Sequence, residues 1–381
     1  MAAKKKVILV GTAYPYRGGL ASYNERLIRE FGTMGYDAKI MTFTLQYPDF
    51  LFPGKTQYSS SPAPTDLQIE RKVSSVNPLN WLKIGNELKN EAPDLVIIKF
   101  WLPFMGPCFG TIARIARMNQ KTKVVAIIDN IIPHEKRIGD KIFSRYFVNS
   151  VDGFVTMSRS VLDDLKTFDA KKPKGENPHP LFDNFGERVS KEVACKHLGL
   201  PTNQRYILFF GFVRDYKGLD LLLEAFADAR FRNSGIKLII AGEYYNNREK
   251  YQQIIKENQL ENDIIQKNEF IADEEVKYYF GACDLVAQPY KTATQSGVTQ
   301  IGYHFEKPML VTNVGGLPEI VPHNKIGYVV APESNAIADA LMQFFDENKE
   351  TEFVENIKVE KQKFTWGKMI ETIEQIQSQV K

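Results

Sequence analysis

Apolar positions in this chain come in short unbroken runs rich in Val and Ile, separated by longer stretches in which apolar residues return every three or four positions. The first run, Lys6-Val7-Ile8-Leu9-Val10, has no polar alternation and predicts a strand buried on both faces. A loop from Gly11 to Gly19 follows, and Leu20, Tyr23, Leu27, Ile28 and Phe31 then recur at helical spacing until Gly35 marks the exit. Further strands are predicted over 37–44, 95–98, 124–128 and 153–157, with helical patterns over 81–90 and 109–118. Strand and helix in alternation predict a parallel sheet covered by helices on both faces.

The pattern then restarts. Strands are predicted over 205–210, 236–241, 263–266, 285–287 and 309–312, and helices over 219–229 and 244–258. Two consecutive α/β, doubly wound units account for this economically, and 381 residues at roughly 150 per domain agree with two. The expected division is 1–185, 186–365 and a closing helix over 366–381, with a Pro-, Gly-, Asn- and Lys-rich linker over 171–201.

Composition narrows the class. A hydrophobic share of 43% and a charged share of 25% belong to a folded globular chain, not to a disordered, collagenous or coiled-coil one. No apolar run approaches the ~18 residues of a membrane span, and Val7 to Val10 is too short for the core of a secretion signal. Cys108, Cys195 and Cys283 are odd in number and lie 87 and 88 residues apart, which fits neither a closed disulfide set nor a metal site. The expected compartment is reducing, hence cytoplasmic. The net charge of +3 hides an asymmetry: residues 1–185 carry 26 Lys and Arg against 18 Asp and Glu. Such a surplus attracts a phosphorylated acceptor or an acidic membrane surface, the plain alternative being a solvated basic surface.

Parallel sheets bind ligands at the carboxyl ends of their strands, so the loops after strands carry the candidate chemistry. Tyr14-Pro15-Tyr16-Arg17-Gly18-Gly19 opens a helix with paired glycines, which permit close backbone approach to an anion. Gly211-Phe212-Val213-Arg214-Asp215-Tyr216-Lys217-Gly218 sets a forked and a compact cation, Arg214 and Lys217, at the mouth of the second sheet, as a diphosphate requires. The third loop, Pro289 to Val298, places Gln295, Ser296, Gly297 and Val298 at a helix start, and Asn313 to Val321 adds another Gly-Gly turn. A plain strand-to-helix turn, a solvated turn and a ligand-free N-cap are the bland readings of these three loops.

In this order and spacing, the Gly-Gly loop, the Gly211 to Gly218 segment and Gly315-Gly316-Leu317-Pro318-Glu319-Ile320-Val321 resemble the family-4 retaining glycosyltransferases of the GT-B fold, of bacterial surface-polysaccharide type. The resemblance covers nearly the whole chain. It implies two Rossmann-like domains facing each other across a cleft, with a final helix from Trp366 crossing back to the first. It further implies a nucleotide-diphosphate sugar donor held mainly by the second domain, an acceptor held mainly by the first, retention at the anomeric carbon and no obligatory metal or cofactor. Gly18 and Gly19 then approach the donor phosphates, Gly211, Arg214 and Lys217 serve the leaving group, and Phe270 and Ile271 fall where nucleobase contacts are made. Partners are the sugar nucleotide and a glycan or lipid-linked acceptor, with a peripheral contact to the inner face of the membrane through the basic first domain, and no nucleic acid.

The departures from that pattern are specific. The family's paired glutamates fall at Ala293 and Ile301, with only the amides of Gln295 and Gln300 nearby. Where many relatives carry His at a strand end, this chain has Asp129, a candidate for polarising an acceptor hydroxyl, with Tyr16, Arg17 and His134 as acceptor-side candidates. For Asp129 a helix N-cap, and for His134 a surface histidine, are the bland readings. The missing glutamates keep two alternatives open: a sugar-nucleotide-binding module without catalysis, and an epimerase on the same architecture.

Overall fold

The computed structural model describes residues 4–48, 56–59, 62–133, 138–232, 234–245, 247–293 and 296–380. Within it the chain divides into two units, 1–180 with 365–381, and 181–364.

Unit 1 is built on β1 (Lys6–Val10), β2 (Asp37–Leu45), β3 (Ile69–Ser74), β4 (Leu95–Phe100), β5 (Lys123–Ile128), β6 (Gly153–Thr156) and β7 (Lys174–Glu176). These run parallel in the order β3-β2-β1-β4-β5-β6-β7. The direction of strand addition reverses beside β1, which puts a crevice at the carboxyl ends of β1 and β4. β4 is buried at every position because helices cover both faces. Helix Pro78–Glu91 packs on Gly106–Ala116, and that helix in turn packs on Asp140–Val148.

The last helix, Trp366–Gln379, lies against β5, β6 and β7 and against helix Gly19–Thr33. Its apolar face buries Trp366, Met369, Ile370, Ile373 and Ile376, each contributing about 1.5–3 kcal/mol. A Cβ added at Gly153 would sit 2.4 Å from Ile376, so this glycine lets the helix press onto the sheet.

Unit 2 repeats the plan with β8 (Arg205–Phe210), β9 (Ile236–Ala241), β10 (Ile264–Lys267), β11 (Leu285–Gln288), β12 (Met309–Thr312) and β13 (Gly327–Val330), parallel in the order β10-β9-β8-β11-β12-β13. Its switch point lies between β8 and β11.

The boundaries differ from the expected ones in two places. The first crossing falls between Pro180 and Leu181 rather than at 185, and the segment expected as a linker holds β7 and a helix, Lys191–Leu198. That helix has ordinary end signals: Ser190 accepts a hydrogen bond from the Val193 amide, and Gly199 closes it at φ +69°. β3, β7 and β13 were not anticipated. All three are edge strands: β3 and β7 are of mixed or polar sequence, and β13 is a short four-residue strand, Gly327–Val330.

All three cysteines are buried and free. Among the described residues no helix is long and apolar enough to cross a membrane.

Candidate active site

In unit 2 the chain leaves β8 through Gly211, whose φ of +93° turns it across the end of the sheet. A Cβ on Gly242, which follows β9, would lie 2.0 Å from the Gly211 carbonyl oxygen, so the two loops touch backbone to backbone. The chain then enters a short 3-10 turn, Asp215–Lys217, that ends at Gly218 with φ +68°. There a Cβ would lie 1.9 Å from the Pro289 carbonyl oxygen, a closeness only glycine allows.

Four charges brace this turn. Lys250 Nζ lies 2.8 Å from Asp215 Oδ1 and 2.7 Å from Asp220 Oδ2, and Lys291 Nζ lies 2.6 Å from the same Asp220 oxygen. Burial pushes the Asp220 carboxyl up, but the hydrogen bonds from Lys250 and Lys291 outweigh it and hold the group below the usual range. Lys250 and Lys291 are thus spent within the protein.

Lys217 is not. Its side chain is buried at 9% exposure, and among the described residues it meets no carboxylate. Its ammonium lies 3.3 Å from the Cβ position of Gly211, with Val298 3.9 Å from that same point, and 5.7 Å from the Tyr290 ring centroid. Burial, reinforced by the Arg214 charge, lowers its pKa from 10.5 to about 8. A buried cation without an anion, beside a second cation at the carboxyl end of a parallel sheet, leaves positive charge uncompensated.

Arg214 is half-buried with its guanidinium 4.2 Å from the Tyr245 ring centroid. Phe212 meets Tyr245 edge to face at 4.7 Å, and Phe270, beyond β10, lies 6.2 Å from Phe212. The loops after β8, β9 and β10 thus gather aromatic faces beside the cations. Ile271 is buried.

The third loop is more inward than expected. Ser296 accepts a hydrogen bond from the Val298 amide, 3.2 Å, as N-cap of helix Gly297–His304, and donates to Gln288 Oε1 at 2.6 Å. A Cβ on Gly297 would meet the Phe182 ring at 2.7 Å, so its smallness serves packing rather than ligand approach. Ala293 and Ile301 are buried apolar residues. Among the described residues, both amide atoms of fully buried Gln300, and Gln288 Nε2, have no hydrogen-bond partner. Gln295 lies outside the described residues.

In unit 1, Asp129 directly follows β5, and its amide donates to the Phe100 carbonyl of β4, 2.9 Å. Lys99, within β4, reaches its Oδ1 at 2.7 Å, with side chains 2% and 11% exposed. The Lys99 ammonium also sits 3.5 Å from the ring centroid of Tyr23. Tyr23 in turn packs on His179 and Trp366, each with centroids 5.0 Å away. Burial, then the Lys99 charge, lowers the His179 pKa to about 3, so this imidazole is neutral across the physiological range. Asp129 is therefore one member of a buried ion pair. Among the described residues, the Tyr23 hydroxyl, Thr12 Oγ1 and Asn24 Oδ1 are buried without hydrogen-bond partners. Lys99 and Tyr23 were not anticipated, although a lone Lys inside Leu95-Val96-Ile97-Ile98-Lys99-Phe100 is the signal that finds the first.

Gly18, at φ +97°, precedes helix Gly19–Thr33, and nothing lies within 4 Å of where its Cβ would be, so the backbone there is open. Tyr16 departs from expectation. It is 3% exposed in the core of unit 1, where its hydroxyl accepts a hydrogen bond from the Gln46 amide. An aromatic residue with one polar atom satisfied by backbone packs there instead of facing an acceptor. Arg17 donates to the Thr56 carbonyl at 3.0 Å. His134 lies outside the described residues. Among the described residues no three His, Cys, Asp or Glu side chains are grouped to hold a metal ion.

Two parallel-sheet, Rossmann-like units define a GT-B fold, and solved structures agree over the chain's length. Sucrose-phosphate synthase from Thermosynechococcus elongatus matches with a TM-score of 0.76 at 14% identity, covering 99% of each chain. HepE of Anabaena, solved in complex with UDP and glucose, matches with a TM-score of 0.74 at 16% identity over 98% of this chain and 99% of its own. Residues 190–360, nearly all of unit 2, match the family described as glycosyl transferases group 1. An uncharacterized glycosyltransferase of Methanocaldococcus jannaschii is 23% identical, covering 96% of this chain and 95% of that protein. The O-antigen chain mannosyltransferase C of Escherichia coli is 26% identical, covering 89% and 88%.

Proposed function

We propose that this chain is a retaining glycosyltransferase that moves a sugar from a nucleotide-diphosphate sugar to a hydroxyl of a glycan or lipid-linked acceptor, in glycan or polysaccharide assembly at the cytoplasmic face of a membrane. The observation that carries the reading is Lys217: a buried ammonium that meets no carboxylate among the described residues, held beside Arg214 at the switch point of unit 2. A leaving nucleoside diphosphate supplies the missing anion. Breaking the bond between the anomeric carbon and the phosphate oxygen leaves charge on the diphosphate, and preorganised cations stabilise that charge without reorganising. The reading assigns this work to Lys217 and Arg214, with no metal required.

Phe212, Tyr245 and Phe270 offer faces for a base, while Gly211, Ile271, Ser296, Gly297 and Val298 shape the surrounding loops. Asp129, fixed by Lys99, is assigned to accept a hydrogen bond from a sugar hydroxyl. In transfer the acceptor oxygen forms its bond to the anomeric carbon on the face that the phosphate leaves, and its proton passes to the departing phosphate. Support for a UDP-type donor comes from the Anabaena neighbour, and for a glycan acceptor from the Escherichia coli relative.

The test is a panel of UDP-, GDP-, ADP- and dTDP-sugars, scored by thermal shift for binding and by released nucleoside diphosphate for chemistry. One donor is expected to do both, and NMR of the product to show a retained anomeric configuration. Silence across the panel overturns the reading. Ala293 and Ile301, apolar where the family has carboxylates, favour one second reading, a binding module without catalysis. Strong binding with no turnover on any acceptor would select it.

A further inference from the structure

Two of the three tryptophans stand at one rim of unit 1, and neither the donor chemistry nor the Lys99–Asp129 pair uses them. Tyr47 lies two residues past β2, Trp101 directly follows β4, and Phe104 sits just beyond in the 3-10 turn Pro103–Met105. β1 separates β2 from β4 in the sheet, so the Trp101 Nε1–H, which donates to the Tyr47 hydroxyl at 2.6 Å, reaches across the end of β1. Phe104 stacks on Tyr47, with ring centroids 6.5 Å apart and planes 28° apart. The three rings form a shelf at the crevice where strand addition reverses, the place at which open parallel sheets bind ligands. Asp129 follows β5, the neighbour of β4, and so lies one strand end away.

The shelf is fixed in place and half open. Trp101 meets Phe43 and Phe109 edge to face, at 6.3 and 5.8 Å, which seats it on the core, yet all three rings are only half-buried. With its N–H spent on Tyr47, the Trp101 indole has a ring face to offer and no donor. Polar atoms in need of partners lie alongside. The Ser75 amide donates to the Leu45 carbonyl at 2.9 Å, which sets Ser75 next to Gln46, the residue before Tyr47. Ser75 and Gln46 are 3% and 6% exposed, and among the described residues Ser75 Oγ and Gln46 Oε1 have no hydrogen-bond partner. Trp81, near the start of the helix after β3, borders this side and donates to the Ser74 carbonyl at 2.7 Å.

We propose that this shelf is a saccharide subsite, on which a pyranose ring of the acceptor stacks against Tyr47, Trp101 and Phe104 while its hydroxyls, directly or through water, supply partners for Gln46 and Ser75. A pyranose presents C–H bonds on one face and hydroxyls around its edge. The C–H face is weakly positive and meets the negative face of an aromatic ring. The edge meets acceptors and hydroxyls, and a bridging water serves nearly as well as a direct contact. An apolar chain would cover the rings but leave Gln46 and Ser75 unpaired, which is unfavourable for buried polar atoms. Apolar walls with a few placed polar groups are the usual make-up of a small-molecule site. The inference rests on the glycosyltransferase reading and narrows its acceptor to a sugar. It is tested without nucleotide, so either can fail while the other stands.

The full chain, isotopically labelled at tryptophan nitrogen, gives one indole N–H signal each for Trp81, Trp101 and Trp366 in NMR, assignable by Trp→Phe variants. It would be titrated with the methyl pyranosides of glucose, galactose, mannose and N-acetylglucosamine, and with cyclohexanol as a six-membered ring lacking the set of hydroxyls. At least one pyranoside is expected to shift the Trp101 signal with about millimolar affinity and to leave buried Trp366 unmoved. Tyr47→Ser, which removes the ring, should weaken binding about tenfold, whereas Tyr47→Phe, which keeps it, should hold affinity within about threefold. Should Tyr47→Ser fail to fold, Phe104→Ala reads the same loss from the other side of the stack. No Trp101 shift with any pyranoside, a shift that cyclohexanol reproduces, or an affinity that survives loss of the Tyr47 or Phe104 ring overturns the proposal.

Discussion

Lys217→Met removes a charge that the folded protein disfavours, so the structure predicts a gain in stability together with a loss of function. The unfolded lysine titrates near 10.5 and the folded one near 8. Between those values the folded state binds fewer protons than the unfolded, so stability rises with pH across the window and the full penalty applies below about 8. At about 1.36 kcal/mol per pH unit, the gap amounts to about 3 kcal/mol at pH 7. Met retains the length and the packing while removing the ammonium. For a unit the size of 181–364, about 2–4 °C per kcal/mol translates this into a rise of roughly 6–12 °C for the ligand-free protein. The same variant should lose the thermal shift that a nucleoside diphosphate produces in the wild type, because the counter-charge has gone. Differential scanning fluorimetry at pH 7, with and without UDP, GDP, ADP and dTDP, reads both effects. A variant that melts below the wild type, or that keeps the full ligand shift, would refute the reasoning that Lys217 is a charge held ready for an absent anion.

Affinity for the nucleoside diphosphate should be flat below pH 8 and weaken above it as the Lys217 ammonium deprotonates. Calorimetry near pH 8 in buffers of different ionisation enthalpy should accordingly show proton uptake on binding. Lys99→Met strands a buried carboxylate and should cost about 3–5 kcal/mol in urea unfolding, with Asp129→Asn in the same chain recovering part of that loss; equal stability of all three proteins would remove the ion pair from the account. Gly218→Ala, with its new carbon 1.9 Å from the Pro289 oxygen at φ +68°, should destabilise by more than about 4 kcal/mol and abolish ligand shifts. Gly18→Ala, in open space but at φ +97° and ψ 177°, a region essentially restricted to glycine, should cost about 1–3 kcal/mol in the same melts.

The two α/β units, the interior strands and the loops that end them are legible from local pattern alone. Unbroken apolar runs and helical recurrence are local patterns, and a strand such as Leu95–Phe100 is recognisable from its own residues. The Arg214 and Lys217 pair was legible for the same reason, since both follow one strand within seven residues of Phe210. What was not legible depended on which strand ends become neighbours. Edge strands such as β3 and β7 need no apolar run. Tyr16 looked like a contact residue until the core closed around it. Packing of distant segments sets Lys99 against Asp129 across 30 residues, and lets Asp215 and Asp220 consume Lys250 and Lys291 while Lys217 meets no carboxylate among the described residues. A lysine's type declares its charge, but whether that charge is spent or available is set by the burial and the partners that sheet order brings to it.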